Sequence, residues 1–216
     1  LEAEFCQNSI LENRPNLHLL FGFQNSAGHR EGAKAIAARL PVTKLFVGGL
    51  HNAASEIDIT IIPKAFNSKD VKITPIENMY AYYLYHVAEV MPYGYMCYKV
   101  NGNLKKLKRR DIKTIMLATK ECFAYLNSTG ICAMPKGEEK FYNGGIKTYA
   151  MFLLYRIVSK TILGQLMVAD HCKNGIKEMI YIHHKFEEWR HQHNSIPMPT
   201  WDKISQYMPQ KNNISY

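Results

Sequence analysis

ENMYAYYLYHVAEVMPYGYMCY, residues 77–98, is the stretch on which the reading of the fold turns. It is long and rich in Tyr and Met, and its middle carries one ionisable pair, His86 and Glu89, among apolar neighbours. Upstream the sequence reads as short strands and turns. Downstream it reads almost entirely as helix. The stretch therefore lies where an α/β part passes into an all-α part, and ligand clefts favour such seams.

Working back from it, Leu1, Phe5, Ile10 and Leu11 recur at loose helical intervals, and Arg14-Pro15 stops the helix they predict over residues 1–14. His18–Phe23 (HLLFGF) is a near-continuous apolar run, the pattern of a strand buried on both faces of a parallel sheet. It ends in the polar turn Gln24-Asn25-Ser26-Ala27-Gly28. A helix is predicted over Arg30–Arg39, closed by Pro41, and then a second buried strand over Lys44–Val47, ending in Gly48-Gly49. Strand, turn, helix, strand is half of a doubly wound, Rossmann-type unit. Polar residues at the carboxyl end of such a strand face the ligand crevice, which makes Asn25 a candidate. Glu56–Ile62 (EIDITII) alternates and predicts a strand, paired antiparallel with Val71–Ile73 across a turn containing Asn67-Ser68-Lys69-Asp70.

Working forward, Glu77–Val100 predicts one long helix with a kink or break near residue 91, because Pro92 and Gly94 lie inside it. Leu104–Asn127 predicts an amphipathic helix, Ile146–Ile157 a strongly apolar one broken near Ser159, and Val168–His193 the last long one, stopped by Ser195 and Pro197. Thr200–Met208 predicts a short final helix with Thr200 as N-cap, and Lys211–Tyr216 a frayed tail. The expected division is an α/β part over residues 1–75 and an all-α part over residues 76–216.

At 216 residues the chain is one large domain or two small ones. A hydrophobic share of 47% with 21% charged residues is that of an ordinary globular protein, and a net charge of +9 favours phosphate-bearing or anionic partners. The five cysteines, Cys6, Cys97, Cys122, Cys132 and Cys172, are scattered and form no CxxC, which argues against a zinc site or disulfide framework and for a reducing cytoplasmic setting. No apolar run reaches 18 residues, so no membrane span is expected. The opening LEAEFCQNS lacks the order of a signal peptide, and without an initiator Met the chain is expected to be a fragment or a processed piece.

Among chemistry-bearing residues, His86 and Glu89 are three apart and share a helical face, as do His171 and Glu178, seven apart. If the two helices pack, one cleft holds all four, and a His near carboxylates suits acid/base work near neutral pH. The ordinary alternative is a core His bonded to a Tyr or a carbonyl. His184, Glu187 and His191 also share a face, but Lys185 and Arg190 interleave and no HExxH occurs, so a solvated surface is the default and no metal is expected. The basic run Lys105, Lys106, Lys108, Arg109, Arg110, Lys113 lacks aromatics and a nucleic-acid module, and again reads as solvated. No GxGxxG or GxxxxGK[ST] is present.

In their order, LLFGFQNSAGH (19–29), KLFVGGL (44–50), EIDITIIP (56–63), ENMYAYYLYHVAEVMP (77–92), STGICAMP (128–135), VADHCKNGIKEMIYI (168–182) and IPMPTWDKI (196–204) resemble the ketopantoate reductase family of nicotinamide-dependent oxidoreductases. The resemblance implies a partial Rossmann-type domain followed by a helical domain of the 6-phosphogluconate dehydrogenase C-terminal type. It also implies reduction of a 2-keto acid with NADP (or NAD) as cofactor, and a homodimer. It assigns catalytic roles to Asn25, Glu178 and His86, substrate contacts to Glu89 and His171, and cofactor contacts to Asn25 and Gly28. His86 falls where the family has a general-acid Lys, and Val90 where it has a helix Asn. Both departures point to a substrate other than ketopantoate. The family layout puts the dinucleotide fingerprint in a first βαβ unit of roughly 100 residues ahead of Leu1. The alternative from another class is a non-catalytic helical module that dimerises or binds an acidic partner through residues 105–113.

Overall fold

The computed structural model describes residues 2–38, 42–66, 69–193 and 196–210. The chain runs α1 (Ala3–Asn13), β1 (Phe21–Gln24), β2 (Ala27–Glu31), β3 (Lys34–Ala38), β4 (Thr43–Gly48), α2 (Glu56–Ala65) and β5 (Val71–Pro75). It then turns helical, through α3 (Met79–Lys99), α4 (Arg109–Ser128), α5 (Gly145–Lys160), α6 (Ile162–Gly164), α7 (Asp170–Asn174), α8 (Ile176–His193) and α9 (Pro199–Ser205). A π turn, Gln165–Ala169, joins α6 to α7. The fold is thus mixed α/β, with a small three-stranded sheet ahead of a helical region.

The helical half follows the pattern in the sequence. Helix α3 buries Met79, Tyr82, Leu84, Tyr85, Met91 and Tyr95 on several sides, so it is a core helix and not an amphipathic surface one. It runs without interruption from Met79 to Lys99 even though Pro92 lies inside it. Gly94 is required by packing: a Cβ there would come within 2.7 Å of the Met179 methyl on α8. The expected break near Ser159 falls at Thr161, which separates α5 from α6. The single helix expected over Val168–His193 is instead α7 and α8, separated at Gly175.

Two upstream segments fold otherwise than the pattern predicts. The helix expected over Arg30–Arg39 is a β-hairpin, with Ala27 opposite Ala38 and Glu31 opposite Lys34. Its alanines favour helix, but Gly32, at φ 58°, opens a two-residue turn that L-residues rarely adopt and hairpins need. The strand expected over Glu56–Ile62 is α2. Ser55 and Asp58 form a reciprocal capping box at its start, and this local signal outweighs the β-branched composition of EIDITII. Consequently β5 pairs parallel with β4, Thr43 opposite Val71, and β1 pairs antiparallel with β4, Phe21 opposite Gly48. The order β1-β4-β5 is not the parallel doubly wound half-unit expected over these residues. Pro41, the turn residues Asn67 and Ser68, Ser195, Leu1 and the tail 211–216 lie outside the described residues.

Thr200, expected as N-cap of the last helix, is not one: Met198 holds that position and Pro199 opens α9. The free N–H groups at this end go to Glu121 of α4, whose carboxylate accepts from Thr200 N (2.7 Å), Thr200 Oγ1 (2.5 Å) and Trp201 N (3.1 Å). A side chain from another helix thus does the capping, and it fixes Trp201, fully buried against Tyr95 and Phe186. We expect Glu121→Ala to destabilise the protein by about 1–3 kcal/mol, with Glu121→Gln less damaging, and Trp201 fluorescence to red-shift. Thermal melts with fluorescence detection check this. An unchanged melting temperature in Glu121→Ala would contradict it.

Candidate functional site

His86 and Glu89 project from α3 beneath the strands and toward the later helices. The His86 ring lies 4.2 Å from the Phe23 ring of β1 and stacks nearly parallel (6°) on Tyr82, one turn earlier, at 6.1 Å. Burial, with the nearby His171 adding to it, lowers the His86 pKa from 6.5 to about 4. Near pH 7 His86 is therefore a neutral imidazole, not the protonated donor expected from the sequence.

Glu89 does not turn to His86. Its Oε1 accepts a hydrogen bond from the Tyr142 hydroxyl at 3.0 Å, and the Tyr142 and Tyr155 hydroxyls lie 2.9 Å apart. Since the Tyr142 proton points to the carboxylate, Tyr155 is the donor to Tyr142, and the three groups form a chain, Tyr155 to Tyr142 to Glu89. Tyr93 stacks on Tyr155 at 5.3 Å and donates to its carbonyl at 3.3 Å. Burial, then repulsion from Glu138, pushes the Glu89 pKa from 4.5 up to about 7, against the opposing Tyr142 hydrogen bond. A carboxyl balanced between its two protonation states at neutral pH is suited to give or take a proton there.

Glu89, Tyr93, Tyr155, His171 and Cys172 line one cavity of about 200 Å³. Of the residues expected to converge, the structure brings Glu89 and His171 to this cavity and sets His86 beside it. Glu178 is exposed on the first turn of α8 and is not part of the lining. It lies near His171 across Gly175, where a Cβ would stand 3.4 Å from Glu178 Oε2 and 3.6 Å from His171 Cε1.

Asn25 and Gly28 are placed elsewhere. Asn25 Oδ1 accepts from Lys44 N at 2.6 Å and Asn25 N donates to Lys44 O at 3.1 Å, so the side chain extends the β1–β4 ladder. Gly28 is a residue of β2, and a Cβ there would come within 2.2 Å of the Ile36 carbonyl across the hairpin. Its glycine serves strand packing, not a phosphate cradle. Of the metal-like set His184, Glu187 and His191, Glu187 is already engaged, accepting from Trp201 Nε1 at 2.8 Å and Arg190 Nη1 at 3.2 Å. Among the described residues no group of three His, Cys, Asp or Glu could hold a metal ion. The basic run is solvated as expected, with Lys105, Lys106, Lys108, Arg109, Arg110 and Lys113 all exposed; Asp111 among them is buried and bonded to Lys99 at 2.8 Å, and Arg109 lies over the Phe152 ring.

Sequence reasoning missed Tyr142, Tyr155 and Glu138. Nothing in their spacing ties positions 142 and 155 to 89; only the packing of Tyr155 on α5, and of Tyr142 just ahead of that helix, against α3 does. No protein-family model matches the chain, and no curated protein and no solved structure matches it. Among the described residues no single helix is long and apolar enough to cross a membrane.

The two shifted groups act oppositely on stability. Between pH 4.5 and 7 the unfolded chain releases the Glu89 proton before the folded chain does, so this group's contribution falls as pH rises and levels off above 7. Between pH 6.5 and 4 the unfolded chain protonates at His86 while the folded chain does not, so that contribution falls as pH falls. Glu89→Gln should therefore stabilise the protein more at pH 8 than at pH 5, by a difference on the order of 2 kcal/mol. Paired thermal melts of parent and variant at both pH values measure it; an equal effect at both would contradict the buried carboxyl.

Proposed function

We propose that the chain provides the substrate-binding, proton-transferring side of a reductase resembling ketopantoate reductase, acting on a 2-keto/2-hydroxy acid pair or a similar small substrate. The observation that carries this reading is the Glu89 carboxyl, hydrogen-bonded to Tyr142 and facing a cavity that His171 also lines. Reduction of a carbonyl leaves an alkoxide that must be protonated. In this reading Glu89, rather than His86, gives that proton, and takes it back in the reverse reaction. The Tyr155–Tyr142 pair holds the carboxylate that remains. His171, and Glu178 behind it, orient the polar end of the substrate. Neutral His86 packs beneath the site and positions the α3 face. The helical part is taken as the 6-phosphogluconate dehydrogenase C-terminal type, and the strand part as a departure from the Rossmann pattern. The nicotinamide cofactor of the resemblance supplies hydride, and no contact to it is assigned to Asn25 or Gly28.

Binding tests this reading without requiring turnover. Keto and hydroxy acids titrated into the protein should shift the ring resonances of His171 and His86. Affinity should fall as pH rises through 7, because the substrate carboxylate then meets an ionised Glu89. Glu89→Gln should abolish that pH dependence. If no acid in a panel moves either ring, the reading is wrong.

A second reading, association of two copies, is favoured by one feature of α5. Ile146, Tyr149, Leu153, Leu154 and Ile157 are all at least one-third exposed along it. They form an apolar stripe along one helix, Ile146 being 88% exposed, of the kind that the core of an interface of about 800 Å² per partner covers. A two-fold axis across this helix would pair the stripe with itself. Light scattering should then give a dimer that Ile157→Glu converts to monomer; a monomeric parent at micromolar concentration contradicts it.

A further inference from the structure

A separate cavity of about 960 Å³ lies between the end of α3, the α5–α6 junction and α7, and Cys97 and Cys172 both line it. These are not two isolated thiols. Cys97 sits near the end of α3 and Cys172 in the middle of α7, and the Cys172 thiol hydrogen-bonds to the Cys97 sulfur. That bond lowers Cys97 from its ordinary value and, with burial, raises Cys172, so Cys97 is the one that becomes thiolate. The Tyr98 hydroxyl donates to the Cys172 carbonyl at 2.9 Å and holds α7 against α3. Cys172 Sγ packs on this end of α3, 3.7 Å from where a Cβ on Gly94, one turn before Cys97, would stand. Cys97 and Cys172 are both buried, 1% and 3% exposed, and meet the outside only through the cavity they line; of the other cysteines, Cys6 and Cys132 are exposed, and Cys122 is buried with its thiol pushed well up by burial. Lys105 and Lys173 also line the cavity, and no acidic residue does.

We propose that Cys97 and Cys172 are a thiol–disulfide exchange site that takes a small, carboxylate-bearing disulfide into this cavity. The Cys97 thiolate attacks one sulfur of the small disulfide, whose S–S bond breaks, and the released thiolate takes up a proton. The mixed disulfide on Cys97 is then attacked by Cys172, which gives up its own proton. The Cys97–Cys172 bond forms, and the second small thiol leaves. Two electrons and two hydrogens pass from the protein pair to the small disulfide. Lys105 and Lys173 draw in the carboxylates. Because Cys172 borders the Glu89 cavity as well, the exchange alters a wall shared by both cavities.

The test uses the full chain carrying C6S and C132S, treated with glutathione disulfide and, in parallel, with uncharged 2-hydroxyethyl disulfide. Peptide mapping without reduction should give a Cys97–Cys172 linked pair and an intact mass lower by two hydrogens. Cys172→Ser should stop at one glutathione on Cys97, and Cys97→Ser should react far more slowly. Replacing Lys105 and Lys173 by Gln should slow glutathione disulfide by about tenfold while leaving the uncharged disulfide unchanged. Absence of the linked pair in the folded parent overturns the proposal even if the serine variants fail to fold. Equal slowing of both disulfides overturns the assignment of a carboxylate-bearing partner.

Discussion

A carboxyl group carried into the interior on α3 is the constraint around which this molecule is arranged. Burying an ionised carboxylate is strongly unfavourable unless it is bonded, and the usual outcome is a raised pKa. Glu89 has one hydrogen-bond donor, Tyr142, and a second carboxylate nearby, Glu138, that opposes its ionisation. That donor is held in turn by Tyr155 of α5, so the packing of α5 on α3 and the protonation state of Glu89 are set by the same contacts. Two other carboxylates of the helical half are more fully paired: Glu121 with the start of α9, Asp111 with Lys99 and the Lys108 N–H. Glu89 instead faces the cavity it shares with His171.

The strands serve this arrangement by closing it from one side. Phe23 of β1 covers His86, and the Tyr83 hydroxyl donates to the Gly22 carbonyl, tying α3 to the sheet. The hairpin reaches the other side: His29 lies 3.1 Å from Asp170 on α7, one residue before His171. A helix over Arg30–Arg39 would not have offered that edge.

Much of the helical half was legible in the sequence because helical periodicity is local and long. Residues 77–98 read as a long helix, and of the four residues placed on shared faces, Glu89 and His171 come to one cavity, while His86 lies beside it and Glu178 outside it. The strand half was less legible, because short segments let a single local device decide. The Ser55–Asp58 capping box made a helix of EIDITII, and Gly32 made a hairpin of an alanine-rich run. The chemistry within the site was the least legible. That His86 is neutral and Glu89 carries the labile proton follows from desolvation, which depends on everything packed around α3. Tyr142 and Tyr155, which lie far from Glu89 in sequence, left no pattern to find.

The central claim is that Glu89 titrates near neutrality. A carboxyl-detected NMR titration of the folded protein, with Glu89→Gln to assign the resonance, addresses it directly. A midpoint close to 7, against an ordinary 4.5, is the result expected here. A midpoint near 4.5 would mean that the carboxylate is hydrated and that the cavity does not hold its proton.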